Sequence, residues 1–354
     1  MAIVPGRRSV LLAGAAAATR TDRARAHGHQ RRPLVIGHRG APGWRPEHTA
    51  ESYALAAAVG ADWLEPDLVA TGDGVLVVRH ENEISQTTDV REHPEFRSRE
   101  TSKLIDGRRV RGWFTEDFTL AELGTLRAVE RLPLLRNRNT VFDGRSPILT
   151  FQQVIDLTRA LARRHRRRIA LFPELKHPGY FRSIGLPLEP EVVRTVRRNR
   201  LGPAECTLQS FEPASLRRLA AAGLGLPLWQ ALGTTGGPFG HDTTYARMAT
   251  PDGLREIARY ARWIGPDKTS LLPPSPLLSD AHSLGLRVGA YTFRAENAYL
   301  HGDFRRRGAA SEFGDAFGEY ALYYGLGVDA VVTDFPDLAV LARGGTAPMT
   351  APMT

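Results

Sequence analysis

The stretch LVIGHRG at residues 34–40 ends an apolar run with a histidine and an arginine, and two further stretches follow the same pattern. They are WLEPDL at residues 63–68 and IALFPELK at residues 169–176, where carboxylates end the apolar run. Each run predicts a buried parallel strand that ends in polar groups costly to bury without a partner. Because strand carboxyl ends meet on one face of a parallel α/β barrel, we expect these groups to form a site there.

Predicted strands and helices alternate along the rest of the chain, as is typical of βα units. The strands lie near residues 34–37, 62–67, 168–173, 205–209, 227–231, 262–265, 286–291 and 328–332, and the helices near 47–59, 150–164, 190–199, 213–222, 252–261, 276–284, 315–325 and 336–342. Eight such units predict an α/β fold, a (β/α)₈ TIM barrel formed by one domain over residues 33–343.

Two long segments interrupt this alternation. Residues 69–147 predict a small insertion after the second barrel strand, which opens with a hairpin around residues 71–74. Residues 232–250 are rich in glycine and threonine. Both segments follow barrel strands, so we expect both to lie over the catalytic face. The low-complexity tail at residues 344–354 is predicted to be disordered.

Nearly all the basic charge comes from arginine. The 354 residues carry a formal net charge of +9, and lysine occurs only at Lys103, Lys176 and Lys268. Genome composition explains such a bias, while attraction to polyanions or anionic membranes is the functional alternative. The densest basic run, residues 163–168, has no interleaved aromatic residues. We therefore expect no nucleic-acid partner and leave peripheral contact with an anionic surface open.

Residues 1–26 predict an export signal. Arg7 and Arg8 precede an apolar stretch from Val10 to Ala18 that is too short to span a bilayer, and an A-x-A pattern follows at residues 24–26. The paired arginines indicate the twin-arginine route to the periplasm, the cell surface or the medium. The alternative is an arginine- and alanine-rich tail without a targeting role.

The single cysteine excludes an intramolecular disulfide.

Three carboxylates predict a metal site. Glu65 and Asp67 are two residues apart on a strand, which places both side chains on one face. Glu174 ends the next barrel strand and adds a third oxygen donor. Two carboxylates at one strand end repel each other unless a cation holds them, and oxygen ligands suit Ca²⁺ or Mg²⁺. The alternative is a structural network of carboxylates and arginines.

Histidines and basic residues complete the predicted site. His38 and His80 each end an apolar strand, where a pair of imidazoles can act as general acid and base. Arg39 supplies a guanidinium group that can donate two parallel hydrogen bonds to a phosphate. Lys176 shares a face with Glu174, and its ammonium serves either as a cation beside the phosphate or as a salt-bridge partner of the carboxylates.

The ordered set of motifs resembles the glycerophosphodiester phosphodiesterase family, and most of all its larger exported bacterial branch. The matching segments are residues 37–40, 46–49, 61–68, 75–81, 173–176, 208–211, 264–267, 291–294 and 332–337. The resemblance implies a TIM barrel that hydrolyses a glycerophosphodiester with the help of a divalent metal, Ca²⁺ ahead of Mg²⁺.

The same resemblance assigns roles to individual residues. The metal ligands are Glu65, Asp67 and Glu174; the acid–base pair is His38 and His80; the phosphate and substrate residues are Arg39, Glu47, Phe211 and Tyr291, to which the position of Lys176 adds a candidate. Phe211 and Tyr291 match positions near the glycerol end of the pocket, and Glu47 matches the glutamate of the second motif. Two departures, His48 in place of asparagine and Glu81 in place of aspartate, affect the surroundings of the site.

We therefore expect hydrolysis of a small-molecule glycerophosphodiester to glycerol 3-phosphate and an alcohol. A phospholipase D-like activity on intact lysophospholipid or sphingomyelin is the alternative, and it should show an exposed apolar rim. A second alternative is a non-catalytic basic protein that binds anionic surfaces. The sequence leaves open the alcohol, the native metal, the roles of the two histidines and the oligomeric state.

Overall fold

A computed structural model describes residues 32–344 of the chain. The predicted export signal at residues 1–26 and nearly all of the predicted tail at residues 344–354 lie outside the described residues. Within residues 32–344, no helix is long and apolar enough to cross a membrane.

The strands and helices are numbered here along the chain. The strands are β1 (Leu34–Gly37), β2 (Trp63–Leu64), β3 (Asp67–Ala70), β4 (Leu76–Val78), β5 (Thr101–Ile105), β6 (Arg108–Gly112), β7 (Ala170–Leu171), β8 (Glu174–Leu175), β9 (Leu208–Ser210), β10 (Leu228–Leu232), β11 (Trp263–Pro266), β12 (Arg287–Phe293) and β13 (Ala330–Thr333). The α-helices are α1 (Ala50–Ala58), α2 (Leu120–Leu123), α3 (Phe151–Arg164), α4 (Pro178–Ser183), α5 (Leu188–Asn199), α6 (Pro213–Ala221), α7 (Tyr245–Met248), α8 (Pro251–Ala258), α9 (Leu277–Ser283), α10 (Ala316–Leu326) and α11 (Pro336–Ala342).

Parallel pairing closes the sheet into a barrel. Strand β1 pairs with both β13 and β2, and β9 to β13 pair in sequential order. The second barrel strand consists of β2 and β3, and the third consists of β7 and β8, which pair with them in turn. Strand β8 then pairs with β9. The predicted TIM barrel is therefore confirmed, and each predicted strand and helix has a counterpart within a few residues.

Proline interrupts the second and third barrel strands at the level of the predicted site. Pro66 separates β2 from β3, and Pro173 separates β7 from β8. Proline has no N–H to donate to the ladder, so regular pairing stops at each of them. The flanking carboxylates of Glu65 and Glu174 thus lie beside these interruptions.

The segment after β3 forms ordered structure over the barrel. Strand β4 folds back on β3 as an antiparallel hairpin, as the sequence predicts around residues 71–74. A second hairpin, β5–β6, is not among the elements predicted from the sequence. Its turn is Asp106-Gly107, with φ angles of +46° and +79°. An Asp-Gly pair is the preferred sequence for such a two-residue turn, so the signal was present.

Aromatic side chains fill the barrel interior. Trp229 stacks on Trp263 with ring centroids 4.9 Å apart and meets Phe172 at 4.6 Å. Two glycines on neighbouring strands make room for the Trp229 ring, since a Cβ at Gly265 or Gly289 would lie 2.0 or 1.9 Å from it. The interior is therefore a packed core, and the site lies at its carboxyl end.

We predict that Gly289→Ala lowers the free energy of unfolding by about 1–3 kcal/mol, the usual cost of overpacking a core. Gly325→Ala is the control, because this glycine is exposed on α10 and a Cβ there meets nothing within 4 Å. Alanine should stabilise that helix by up to about 1 kcal/mol. Urea unfolding of both variants checks the difference; equal midpoints would contradict the packing argument.

Candidate active site

Three buried carboxylates meet at the carboxyl ends of the second and third barrel strands. Asp67 begins β3 and lies opposite Glu174, the first residue of β8, in the parallel register. Glu65 lies two residues before Asp67, and oxygens of all three side chains lie within 4.8 Å of one another. We call these residues the acidic triad. Because each is at most 7% exposed, water does little to screen their mutual repulsion.

Each carboxylate of the acidic triad has one oxygen held by a neighbouring donor. The donors are Gln209 Nε2 for Glu65, His48 Nε2 at 3.0 Å for Asp67 and Lys176 Nζ at 2.6 Å for Glu174. Among the described residues, Oε2 of Glu65 and Oδ1 of Asp67 are buried without a hydrogen-bond partner. Burial, then repulsion from Asp67 and Glu174, raises the pKa of Glu65 well above its usual range. Free, crowded carboxylate oxygens fit a hard divalent cation.

The histidine that ends β1 is held by a buried aspartate. Nδ1 of His38 lies against the carboxylate of Asp334, and Nε2 lies 4.0 Å from Oε2 of Glu65. The other oxygen of Asp334 accepts hydrogen bonds from Arg136 at 2.6 Å and Arg294 at 2.8 Å. Burial and the Arg39 guanidinium lower the pKa of His38 to about 4, although Asp334 opposes the shift. This shift favours the neutral imidazole in the unliganded protein, and Nε2 faces Glu65 of the acidic triad.

The second predicted histidine has a similar carboxylate partner. Nδ1 of His80 lies 2.5 Å from Oε1 of Glu81, and Arg131 binds the same carboxylate. Burial, Arg39 and Lys176 lower the pKa of His80 well below its usual range. The structure thus contains two histidine–carboxylate dyads, His38–Asp334 and His80–Glu81, and both histidines line one cavity.

An ion-pair chain fixes the predicted phosphate ligand. Arg39 has a left-handed backbone with φ +58°, and its Nη1 donates to Glu47 at 2.8 Å. Two hydrogen bonds of 2.7 Å from Arg131 hold Glu47 from the other side. Nε of Arg39 has no hydrogen-bond partner within residues 32–344, although it lies 3.4 Å from Asp67. Glu47 therefore orients Arg39 from behind, and the Arg39 guanidinium faces the cavity.

The cavity at the barrel mouth has a volume of about 430 Å³. Its walls combine the charged residues with aromatic rings: Arg39, His38, His80, Glu65, Glu174, Lys176, Phe211, Trp229 and Tyr291. Phe211 meets Tyr291 edge to face at 5.9 Å, and the Tyr291 hydroxyl donates to the Leu232 carbonyl at 2.8 Å. Such a cavity can hold a small molecule with a phosphate at its charged end and an apolar contact at the other.

Lys176 satisfies both interpretations of its position. Its Nζ pairs with Glu174, and it also lines the cavity beside Phe211.

Every predicted site residue lies in this cavity or directly behind it. Asp334, Arg131 and Arg136 were missed by sequence reasoning. Asp334 follows the last barrel strand directly, so the rule applied to the other strand ends could have found it. The two arginines come from the irregular insertion, where no pattern marks them.

Known proteins resemble this chain over most of its length. The chain matches the model of the glycerophosphoryl diester phosphodiesterase family over residues 38–338. A glycerophosphodiester phosphodiesterase of Arabidopsis thaliana is 32% identical over 327 residues, covering 86% of this chain and 84% of the relative. One from Haemophilus influenzae is 29% identical over 345 residues, covering 87% of this chain and 88% of the relative.

A solved structure shares the fold. It is a phosphodiesterase of Oleispira antarctica in complex with the product sn-glycerol-3-phosphate, with a TM-score of 0.60 and 19% identity, covering 88% of this chain and 97% of that one. Since the family model spans most of the residues that form the barrel and its site, this protein belongs to the glycerophosphoryl diester phosphodiesterase family.

Proposed function

We propose that this protein hydrolyses glycerophosphodiesters to glycerol 3-phosphate and an alcohol. One observation carries the proposal: two histidines, each held by a carboxylate, line a single cavity together with Arg39 and with Glu65 and Glu174 of the acidic triad. These residues supply the groups that the reaction needs, namely a general acid and a general base, a guanidinium that binds the phosphate, and ligands for a cation. The family relationship and the product complex of the Oleispira antarctica phosphodiesterase support the same reaction.

A divalent metal is the expected cofactor, held by Glu65, Asp67 and Glu174. Oxygen-only donors suit Ca²⁺, our first choice, and Mg²⁺. When bound, such a cation acts as a Lewis acid on a phosphate oxygen and helps to position the substrate. Lys176 contributes a fixed positive charge beside Glu174.

The chain's own residues carry the proton transfers. One histidine takes the proton from the attacking hydroxyl, which belongs to the substrate glycerol or to water. The other, whose protonated form the negative charge of the bound phosphate favours, gives a proton to the leaving alcohol oxygen. Asp334 and Glu81 hold the rings by Nδ1 and stabilise the imidazolium that forms at Nε2. Arg39 stabilises charge that develops on the phosphoryl oxygens.

A phospholipase D-like activity on lysophospholipid is the second candidate. It is favoured by exposed apolar side chains on loops that follow barrel strands, such as Phe239 at 44%, Leu134 at 93% and Phe313 at 45%. Release of choline from lysophosphatidylcholine micelles would support it, whereas activity confined to water-soluble diesters would exclude it. The complete set of site groups argues against a protein that only binds anionic surfaces.

We further propose that residues 1–26 direct export by the twin-arginine route. The support is the Arg7-Arg8 pair, the short apolar stretch after it and the A-x-A pattern at residues 24–26. Identifying the first residue of the exported protein by mass spectrometry tests this. An uncut chain that stays in the cytoplasm when both arginines are intact would refute it.

Metal binding should release protons and strengthen as pH rises. The reason is that the raised pKa of Glu65 keeps a proton on a carboxyl that must be deprotonated to act as a ligand. Calorimetric titration with Ca²⁺ and Mg²⁺ in two buffers of different ionisation enthalpy measures both effects. Glu65→Gln should lose the binding, and Glu256→Gln, an exposed control on α8, should keep it. Equal affinity in wild type and Glu65→Gln would contradict the assignment.

His38→Ala and His80→Ala should each lower kcat for glycerophosphocholine about 10²–10⁴-fold, the usual contribution of a general acid or base. Coupled detection of glycerol 3-phosphate measures the rate, with added metal and then with chelator. His165→Ala is the control, because His165 caps the carboxyl end of α3 at the opposite end of the barrel. Near-normal turnover by either site variant would overturn the role of the histidine that it lacks. No turnover by the wild-type protein with any metal would overturn the proposed function.

A further inference from the structure

A second cavity opens directly beside the catalytic one. Its volume is about 540 Å³, and it shares Glu174, Lys176 and Phe211 with the catalytic cavity. The β5–β6 hairpin and the glycine-rich loop after β10 both contribute to its walls. If the phosphate of a diester lies at Arg39 and the acidic triad, as the proposed function requires, the departing alcohol has this adjoining space available.

A carboxylate without a cationic partner faces this space. Glu212 lines the cavity and is only 6% exposed, and its oxygens accept the Gly179 N–H at 2.9 and 3.2 Å. Among the described residues, no lysine, arginine or histidine forms an ion pair with it: Arg218 pairs with Glu189, and Lys176 pairs with Glu174. Burial raises the pKa of Glu212 to about 7. A buried carboxylate of this kind gains from a cation placed beside it.

Other groups in the cavity suit the same kind of ligand. Oδ1 of Asp106, at the turn of the β5–β6 hairpin, has no hydrogen-bond partner in the part of the chain that the structure describes, while Oδ2 accepts from Nδ1 of His177 at 2.6 Å. Tyr245 meets Phe211 edge to face at 6.1 Å, and Phe239 presents a ring that is 44% exposed. Aromatic faces combined with carboxylates are the surroundings that attract a substituted ammonium group.

We propose that this second cavity binds the leaving alcohol of the substrate and selects a compact cationic one, such as choline or ethanolamine. Glu212 supplies the counter-charge, and Phe239 with Tyr245 supplies the aromatic wall. The proposal rests on the proposed function and adds a substrate preference to it. A neutral polyol or an anionic headgroup gains nothing from Glu212, so it should be the poorer substrate.

Glu212 also has a structural role that the test must separate from recognition. Its carboxylate accepts a backbone N–H in the first turn of α4, and a glutamine at this position can accept the same bond through its amide oxygen. Glu212→Gln therefore removes the charge and keeps the backbone hydrogen bond. Glu212→Asp keeps the charge on a shorter side chain.

The kinetic test compares kcat/KM for glycerophosphocholine with kcat/KM for glycerophosphoglycerol. Wild type should prefer the choline diester, and Glu212→Gln should reduce that ratio about tenfold, the effect of losing one charge-assisted contact. Glu212→Asp should retain more of the preference, and the exposed Glu256→Gln control should leave the ratio unchanged. A wild-type ratio of one, or the same ratio in Glu212→Gln and wild type, would overturn the proposal.

A binding test separates this proposal from the proposed function. Calorimetry compares choline with its neutral isostere, in which a tert-butyl group replaces the trimethylammonium. Tighter binding of choline to wild type, lost in Glu212→Gln, would support the cationic subsite even if no diester were hydrolysed. Equal binding of the two compounds to an enzyme that does hydrolyse glycerophosphodiesters would overturn the subsite and leave the proposed function standing.

Discussion

Mutual repulsion among Glu65, Asp67 and Glu174 is the constraint around which the catalytic face is organised. Their oxygens lie within 4.8 Å of one another in a buried setting, where like charges cannot be screened by water. Neighbouring donors offset part of this repulsion, and Lys176 adds a positive charge next to Glu174. One oxygen of Glu65 and one of Asp67 remain without a hydrogen-bond partner among the residues described, and they point to a cation as the group that completes the site.

The barrel can hold these mutually repelling carboxylates close together because its strands are fixed by pairing and by a packed aromatic interior. Asp67 and Glu174 face each other through backbone register, and Glu174 is in register with Gln209 on the next strand. Residues held by strands rather than loops keep their separation when charge changes at the site. The loops and the insertion then add the groups that vary, such as Arg131 behind Glu47 and the walls of the second cavity.

The barrel, and the location of the candidate site at the strand ends, could be predicted from the sequence for a physical reason. A buried strand that ends in a charged residue is an unusual pattern, and a parallel barrel collects all such ends on one face. Asp334 follows the same rule and could have been found. Arg131 and Arg136 could not, because each lies in an irregular segment whose position depends on tertiary contacts with Glu47, Glu296 and Asp334. Likewise, the second cavity arises only where the insertion hairpin meets a loop from the far side of the barrel.

The most direct test of the central claim is anomalous diffraction from crystals soaked with Mn²⁺, an ion that takes the same oxygen ligands as Ca²⁺ and Mg²⁺. We predict one strong peak among the carboxylates of Glu65, Asp67 and Glu174, absent from crystals of Glu65→Gln. A peak elsewhere on the catalytic face, or an unchanged peak in the variant, would contradict the assignment of the acidic triad as the metal site.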